Sequence, residues 1–182
     1  MGAAVCPGRW RDAMRRLPPV PRVWGMAYRP GMGWSWFRRR KRILGDAEEA
    51  ALVEAIRRAE AGHRGEVRVH VERTSRGLHP LSRAAHLFEG LGMRHTTKDT
   101  GVLLYVAVED RQAAVYAGRG IHGAALPGFW QEVVDAVAQG FREGASLPAL
   151  VTAVERIGAQ LRQAAPGADV AGNELPDAVS QS

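Results

Sequence analysis

Gly101-Val102-Leu103-Leu104-Tyr105-Val106-Ala107-Val108 is an unbroken apolar run set between Asp99-Thr100 and Glu109-Asp110-Arg111. It is too short to span a membrane as a helix. A run this short and this continuous reads as a strand covered on both faces, which demands helices above and below it. The rest of the chain reads as what packs on this strand or beside it.

Upstream, Glu66-Val67-Arg68-Val69-His70-Val71-Glu72-Arg73 alternates strictly. The spacing puts Val67, Val69 and Val71 on the core and turns Arg68, His70 and Glu72 outward to solvent, a half-exposed strand. Before it, a helix opens at the capping-box-like pair Asp46 and Glu49, presents Leu52, Val53, Ile56 and Ala59, and stops at Gly62 and Gly65. Between the two strands a second helix begins near Pro80 and presents Leu81, Ala84, Ala85, Phe88 and Leu91. Downstream, Glu109-Asp110-Arg111-Gln112 links the central run to Ala113–Tyr116, an antiparallel strand. After Gly118-Arg119-Gly120-Ile121-His122-Gly123, two amphipathic helices follow. One presents Trp130, Val133, Val134, Val137 and Phe141. The other, capped by Ser146, presents Leu150, Val151, Val154, Ile157 and Leu161.

The element order is α-β-α-β-β-α-α, an α/β fold with a small mixed sheet sandwiched between helices. A strand–helix–strand crossover makes the first two strands parallel. Glu66, Asp99 and the 118–123 loop then converge on one rim of the sheet, and Asp110 and Arg111 lie on the opposite rim with Arg73.

The 182 residues carry a net charge of +6 that is unevenly placed. Residues 1–44 hold eleven cations and one acid, whereas the remainder is net acidic at −4. The high overall basicity therefore gives no sign of a nucleic-acid site in the core. Residues 1–44, rich in Pro, Trp and Arg, read as a disordered leader, 45–165 as the domain, and 166–182 as a loosely ordered tail. Trp34-Ser35-Trp36-Phe37-Arg38-Arg39-Arg40-Lys41-Arg42 has two readings, a surface for anionic lipid or RNA and a solvated charge run. Met26 and Met32 are alternative starts. Cys6 is the only cysteine, so no disulfide closes the domain, and with no membrane-length apolar run a cytoplasmic protein is expected.

Six segments occur in an order that resembles one family. They are Gly65-Glu66-Val67-Arg68-Val69, Leu91-Gly92-Met93-Arg94-His95-Thr96, Gly101–Ala107, Asp110-Arg111, Gly120-Ile121 and Asn173-Glu174-Leu175-Pro176. Together they are similar to the TPM-domain family over about residues 46–177. The resemblance implies an α/β sandwich related to thylakoid-lumen proteins of photosystem II repair and to bacterial members, of which this chain looks like the soluble type. It also implies binding of Ca2+ or Mg2+ in some members and a phosphatase activity in some.

The chain departs from the family where Gly-Asp-x-Gly-Ile is replaced by Ala117-Gly118-Arg119-Gly120-Ile121. The rim keeps Glu66 and Asp99 as metal candidates, with the hydroxyls of Thr96, Thr97 and Thr100. A hard dication commonly takes six or more oxygens. Arg119 can also fill the gap, pairing with Asp99 or Glu66 and replacing the metal's charge. On this reading Gly118→Asp creates cation binding. Arg119 with the backbone N–H groups around Gly118 and Gly120 is a candidate phosphate or sulfate site. Gly118-x-Gly120-x-x-Gly123 spells a dinucleotide fingerprint, but a helix follows where a strand with an acid is needed. His63, His95 and His122 lie in loops on the same rim, a conceivable transition-metal set without a zinc motif. Asp110 and Arg111 read as a structural turn pair. Two functions follow: a weak divalent-cation-binding or non-catalytic interaction module with a degenerate metal site and an unknown protein partner, or a metal-dependent phosphatase-like enzyme on phosphate esters.

Overall fold

A computed structural model describes residues 2–5, 42–96, 99–167 and 179–182. The readings of most of the leader, of Thr97 and of Asn173–Pro176 lie outside the described residues. In chain order the elements are β1 (Gly2–Val5), α1 (Asp46–Glu60), β2 (Glu66–Glu72), α2 (Pro80–Gly90), a 3-10 turn (Met93–His95), β3 (Gly101–Ala107), β4 (Gln112–Ala117), α3 (Arg119–His122), α4 (Phe129–Arg142), α5 (Ser146–Ala164) and β5 (Val179–Gln181).

The sheet order is β1-β4-β3-β2-β5, so the apolar run is the middle strand. β2 runs parallel to β3 in the register Glu66–Gly101 to Glu72–Ala107, and β4 returns antiparallel. Alternation along β3 divides the core. Val102, Leu104 and Val106 join the buried cluster containing Ile56 of α1, Val134 of α4 and Ile157 of α5. Leu103, Tyr105 and Ala107 face the other way, against Ala84 and Phe88 of α2. One face of the sheet therefore carries three long helices, with Ile121 of the short α3 among them, and the other carries one. Each large aliphatic side chain buried this way is worth about 1.5–3 kcal/mol.

The helices approach closely where small residues allow it. A Cβ on Gly158 of α5 would stand 2.7 Å from the Cβ of Ala59 in α1, so this crossing needs glycine. α1 starts one residue earlier than its acidic pair suggests: the Gly45 N–H donates to the Glu48 carboxylate at 2.8 Å. Ser146 is the first helical residue of α5 rather than its cap, which is Ala145 with no side-chain bond.

Two features differ from the sequence reading. The face of β2 assigned to solvent is covered: Arg68, His70 and Glu72 are 6%, 4% and 1% exposed. The alternation assigned the face correctly, but Arg83 reaches across from α2 to pair with Glu72, and Ser180 of the tail meets His70. The sheet also gains two edge strands. Gly2–Val5 of the leader pairs antiparallel with β4, and Val179–Gln181 of the tail pairs parallel with β2. Arg42, at the end of the cation run, ion-pairs with Asp46 and with Glu49 in the first turn of α1.

Candidate functional site

The parallel pairing of β2 with β3 fixes the rim. Glu66 is the register partner of Gly101 and is buried, and Asp99 lies two residues before Gly101. Asp99 has a left-handed backbone (φ 56°) that an Asp side chain tolerates better than most. This turns its carbonyl and carboxylate toward the end of β4. Its Oδ2 accepts the Arg119 N–H at 3.1 Å and its carbonyl accepts the Gly120 N–H at 3.1 Å. Asp99 thereby caps the short helix α3 from a neighbouring loop, the task that a side chain at 118 would perform in its own chain segment.

Gly118 is the consequence. A Cβ there would fall 2.5 Å from Asp99 Oδ1 and 2.8 Å from the Asp99 carbonyl carbon. Its φ of −62° is ordinary, so the requirement is space and not conformation. The Arg119 guanidinium, 70% exposed, places Nε 3.6 Å from Asp99 Oδ2. Asp99 Oδ1 is buried and has no hydrogen-bond partner.

The other rim candidates are largely committed. Thr96 Oγ donates to the Met93 carbonyl at 3.1 Å and accepts the Thr100 N–H, while the Thr100 hydroxyl donates to the Arg64 carbonyl at 2.9 Å. His63 is buried with both ring nitrogens in use: Nε2 lies 2.6 Å from the Ala59 carbonyl and Nδ1 accepts the Gly65 N–H at 3.0 Å. Burial, with the nearby Arg162 cation, holds its pKa below the ordinary value. Among the described residues, no three His, Cys, Asp or Glu side chains gather closely enough to hold a metal. As donors for a hard dication the described groups fall short: one free carboxylate oxygen on Asp99, beside a guanidinium. The amides that a phosphate would need are already donating, those of Arg119 and Gly120 to Asp99 and that of Gly118 to the Gly101 carbonyl at 2.9 Å.

The opposite rim holds the turn pair. Asp110 Oδ2 accepts both the N–H and the hydroxyl of Ser75, at 2.5 and 2.7 Å, tying the β3–β4 turn to the β2–α2 loop. Arg111 takes a left-handed conformation (φ 57°) at the turn. The neighbouring carboxylates pair with other cations, Glu109 with Arg73 at 3.0 Å and Glu72 with Arg83.

Between β2 and α2 lies a buried ionic cluster absent from the sequence reading. Arg83 reaches down from α2 and donates to both Glu72 oxygens, at 2.7 and 2.8 Å, and the Tyr105 hydroxyl donates to Oε1 at 2.7 Å. Burial pushes the Glu72 carboxyl up, but the bonds from Arg83 and Tyr105 outweigh it and hold the pKa below its ordinary value. Burial, then the bond to the Glu72 carboxylate, pushes the Tyr105 hydroxyl up. His70 stacks near Tyr105, with Nδ1 2.7 Å from Ser180 Oγ. Burial holds its pKa below 6.5, with Arg83 and Arg76 acting in the same sense and Glu72 against them. Glu72 and Ser182 both lie on the Nε2 side of the ring, at 3.9 and 3.4 Å. One signal was available in the sequence: a tyrosine hydroxyl inside a doubly covered strand must find a partner on the α2 face.

The sequence profile of the TPM domain matches residues 38–160. The structure is similar to the BA42 protein from the psychrophilic bacterium Bizionia argentinensis sp. nov., with 35% identity, 79% of this chain and 99% of that chain covered, and a TM-score of 0.71. It also resembles the N-terminal domain of the cg2496 protein from Corynebacterium glutamicum at 12% identity and a TM-score of 0.54, over 78% of this chain and 93% of that one, a likeness of fold alone. No curated protein matches the chain.

Proposed function

The chain belongs to the TPM-domain family, and from that premise we propose that it is a non-catalytic interaction module in which an internal guanidinium stands in for a divalent cation. The observation that carries this reading is the Asp99 rim. Its carboxylate caps α3 and faces Arg119, and the space for a second carboxylate at 118 is filled by Asp99 itself. No helix among the described residues is long and apolar enough to cross a membrane. That fits a module that meets its partner through its surface, and we place it in the cytoplasm.

One observation favours the alternative of a metal-dependent phosphatase-like enzyme. Asp99 Oδ1 is a buried acceptor without a partner, the kind of group a weakly held Ca2+ or Mg2+ would use. Hydrolysis of p-nitrophenyl phosphate in the presence of magnesium, calcium or manganese separates the two. Release of nitrophenol at the buffer rate is expected. Turnover that disappears in the Asp99→Asn variant would replace the module reading with the enzyme.

A further inference from the structure

Val179–Gln181 forms a strand of only three residues on the outer edge of β2, in the register Val69–Val179, His70–Ser180 and Val71–Gln181. The backbone pairing extends one residue further, with the Ser182 N–H donating to the Val71 carbonyl and the Arg73 N–H to the Ser182 carbonyl, both at 3.3 Å. Each side chain has its own partners. Val179 is buried in the three-helix core at 8% exposure. The Ser180 hydroxyl meets His70 Nδ1 at 2.7 Å on the α2 face. Gln181 turns to the α1 face, where its Oε1 accepts the N–H groups of Ile43 and Leu44 at 3.1 and 3.0 Å and its Nε2 donates to Glu49 at 2.7 Å. The Ser182 hydroxyl donates to Glu72 at 3.2 Å.

Main-chain pairing for affinity with alternate side chains read on two faces is how a sheet edge recognises an added peptide strand. The polar groups that hold the segment also tolerate its loss, while Val179 gives up its place in the core. Glu72 keeps both Arg83 bonds and the Tyr105 bond. His70 and the amides of Ile43 and Leu44 lie on the edge the segment covers, and meet water when it leaves. We propose that the β2 edge is a peptide-binding site filled in cis by Val179–Ser182, and that an extended segment of a partner protein with the same apolar–Ser–Gln–Ser pattern displaces it. This rests on the interaction-module reading and names the partner's chemistry.

The test uses the full isotope-labelled chain, as parent and as Gln181→Ala, titrated with the synthetic peptide Pro-Asp-Ala-Val-Ser-Gln-Ser and followed by two-dimensional NMR. Saturable shifts are expected in the chain's own Val179–Ser182 signals as the segment leaves the edge, and, in Gln181→Ala, at Ile43 and Leu44 as the peptide's glutamine takes up their N–H groups. The Gln181→Ala chain, whose own segment loses three side-chain hydrogen bonds and competes less, should bind the peptide at least about fivefold more tightly than the parent, the minimum equivalent of one net hydrogen bond. A peptide with alanine for its glutamine should bind about fivefold more weakly. No saturable shift up to about 2 mM peptide in either chain, or equal binding of the altered peptide, would overturn the site. A dimer in light scattering that the peptide dissolves would overturn the choice of a foreign partner in favour of a second copy. Phosphate-ester turnover with peptide binding intact would sink the function reading and spare this groove, whereas silence in both assays would sink the groove alone.

Discussion

Replacing Arg83 with methionine keeps an apolar stem under α2 and deletes the guanidinium. Glu72, whose side chain is 2% exposed, then loses donors at 2.7 and 2.8 Å and keeps only those of Tyr105 and Ser182. Removing one partner of a buried pair costs about 3–5 kcal/mol. Arg83 is itself 15% exposed, so water reaches the vacated space and the lower end, about 3 kcal/mol, is the expected loss at pH 7. The pH dependence has a definite sign. In the parent the Glu72 carboxyl sits below its ordinary 4.5, so the pair's stabilisation is present above pH 4.5 and is lost as the pH falls below it. In the variant burial faces no guanidinium, the carboxyl moves up, and the protonated form becomes accessible near pH 4.5. The deficit should therefore shrink on acidification, by about 1.4 kcal/mol for each unit of displacement. Urea unfolding followed by circular dichroism at pH 7 and pH 4.5 measures both numbers. Adding Glu72→Gln to the variant should recover at least half of the loss, because the uncompensated charge is gone. A loss below about 1 kcal/mol at pH 7, or the same loss at both pH values, would refute a buried pair and return β2 to the half-wet strand that its alternation suggests.

Gly118→Ala should lower stability by about 1–3 kcal/mol, because the new methyl overlaps Asp99, and thermal unfolding will report it. Gly118→Asp should do the same before it builds any cation site, which reverses the expectation drawn from the sequence pattern. His63 and His70 are both held below 6.5, so the unfolded chain binds protons that the folded chain resists. Stability should fall as the pH drops below 6.5, by up to about 1.4 kcal/mol per pH unit for each histidine, and His70→Gln should roughly halve the slope in urea titrations between pH 6.5 and 5.5. Asp110→Ala, which frees two Ser75 donors on the opposite rim, should cost about 1–2 kcal/mol while leaving the Asp99 rim's amide spectrum unchanged.

The apolar run at 101–108 disclosed most of the architecture. A strand buried on both faces forces two helical layers, and the parallel crossover then puts Glu66, Asp99 and the 118–123 turn at one end of the sheet. Their detailed bonding was not readable, since it depends on the left-handed turn at Asp99 that brings its carbonyl against Gly118. Periodicity gave the correct face for Arg68, His70 and Glu72. It carried no information on whether a helix covers that face, because a paired charge and a solvated charge look alike in sequence. β5 escaped for a different reason. Three residues cannot show a period, and its hold on the sheet comes from polar side chains, Ser180 and Gln181, that sequence reading assigns to tails.

The most direct measurement is the two-dimensional NMR spectrum of the labelled chain as calcium, and separately magnesium, is raised to about 5 mM at pH 7, in the weak-binding range of extracellular cation modules. With Asp99 engaged by the α3 amides and Arg119, the signals of Asp99, Gly118, Arg119 and Gly120 should move no further than in sodium chloride of matched ionic strength. A saturable shift confined to those four residues anywhere in that range would contradict the replacement of the cation by the guanidinium.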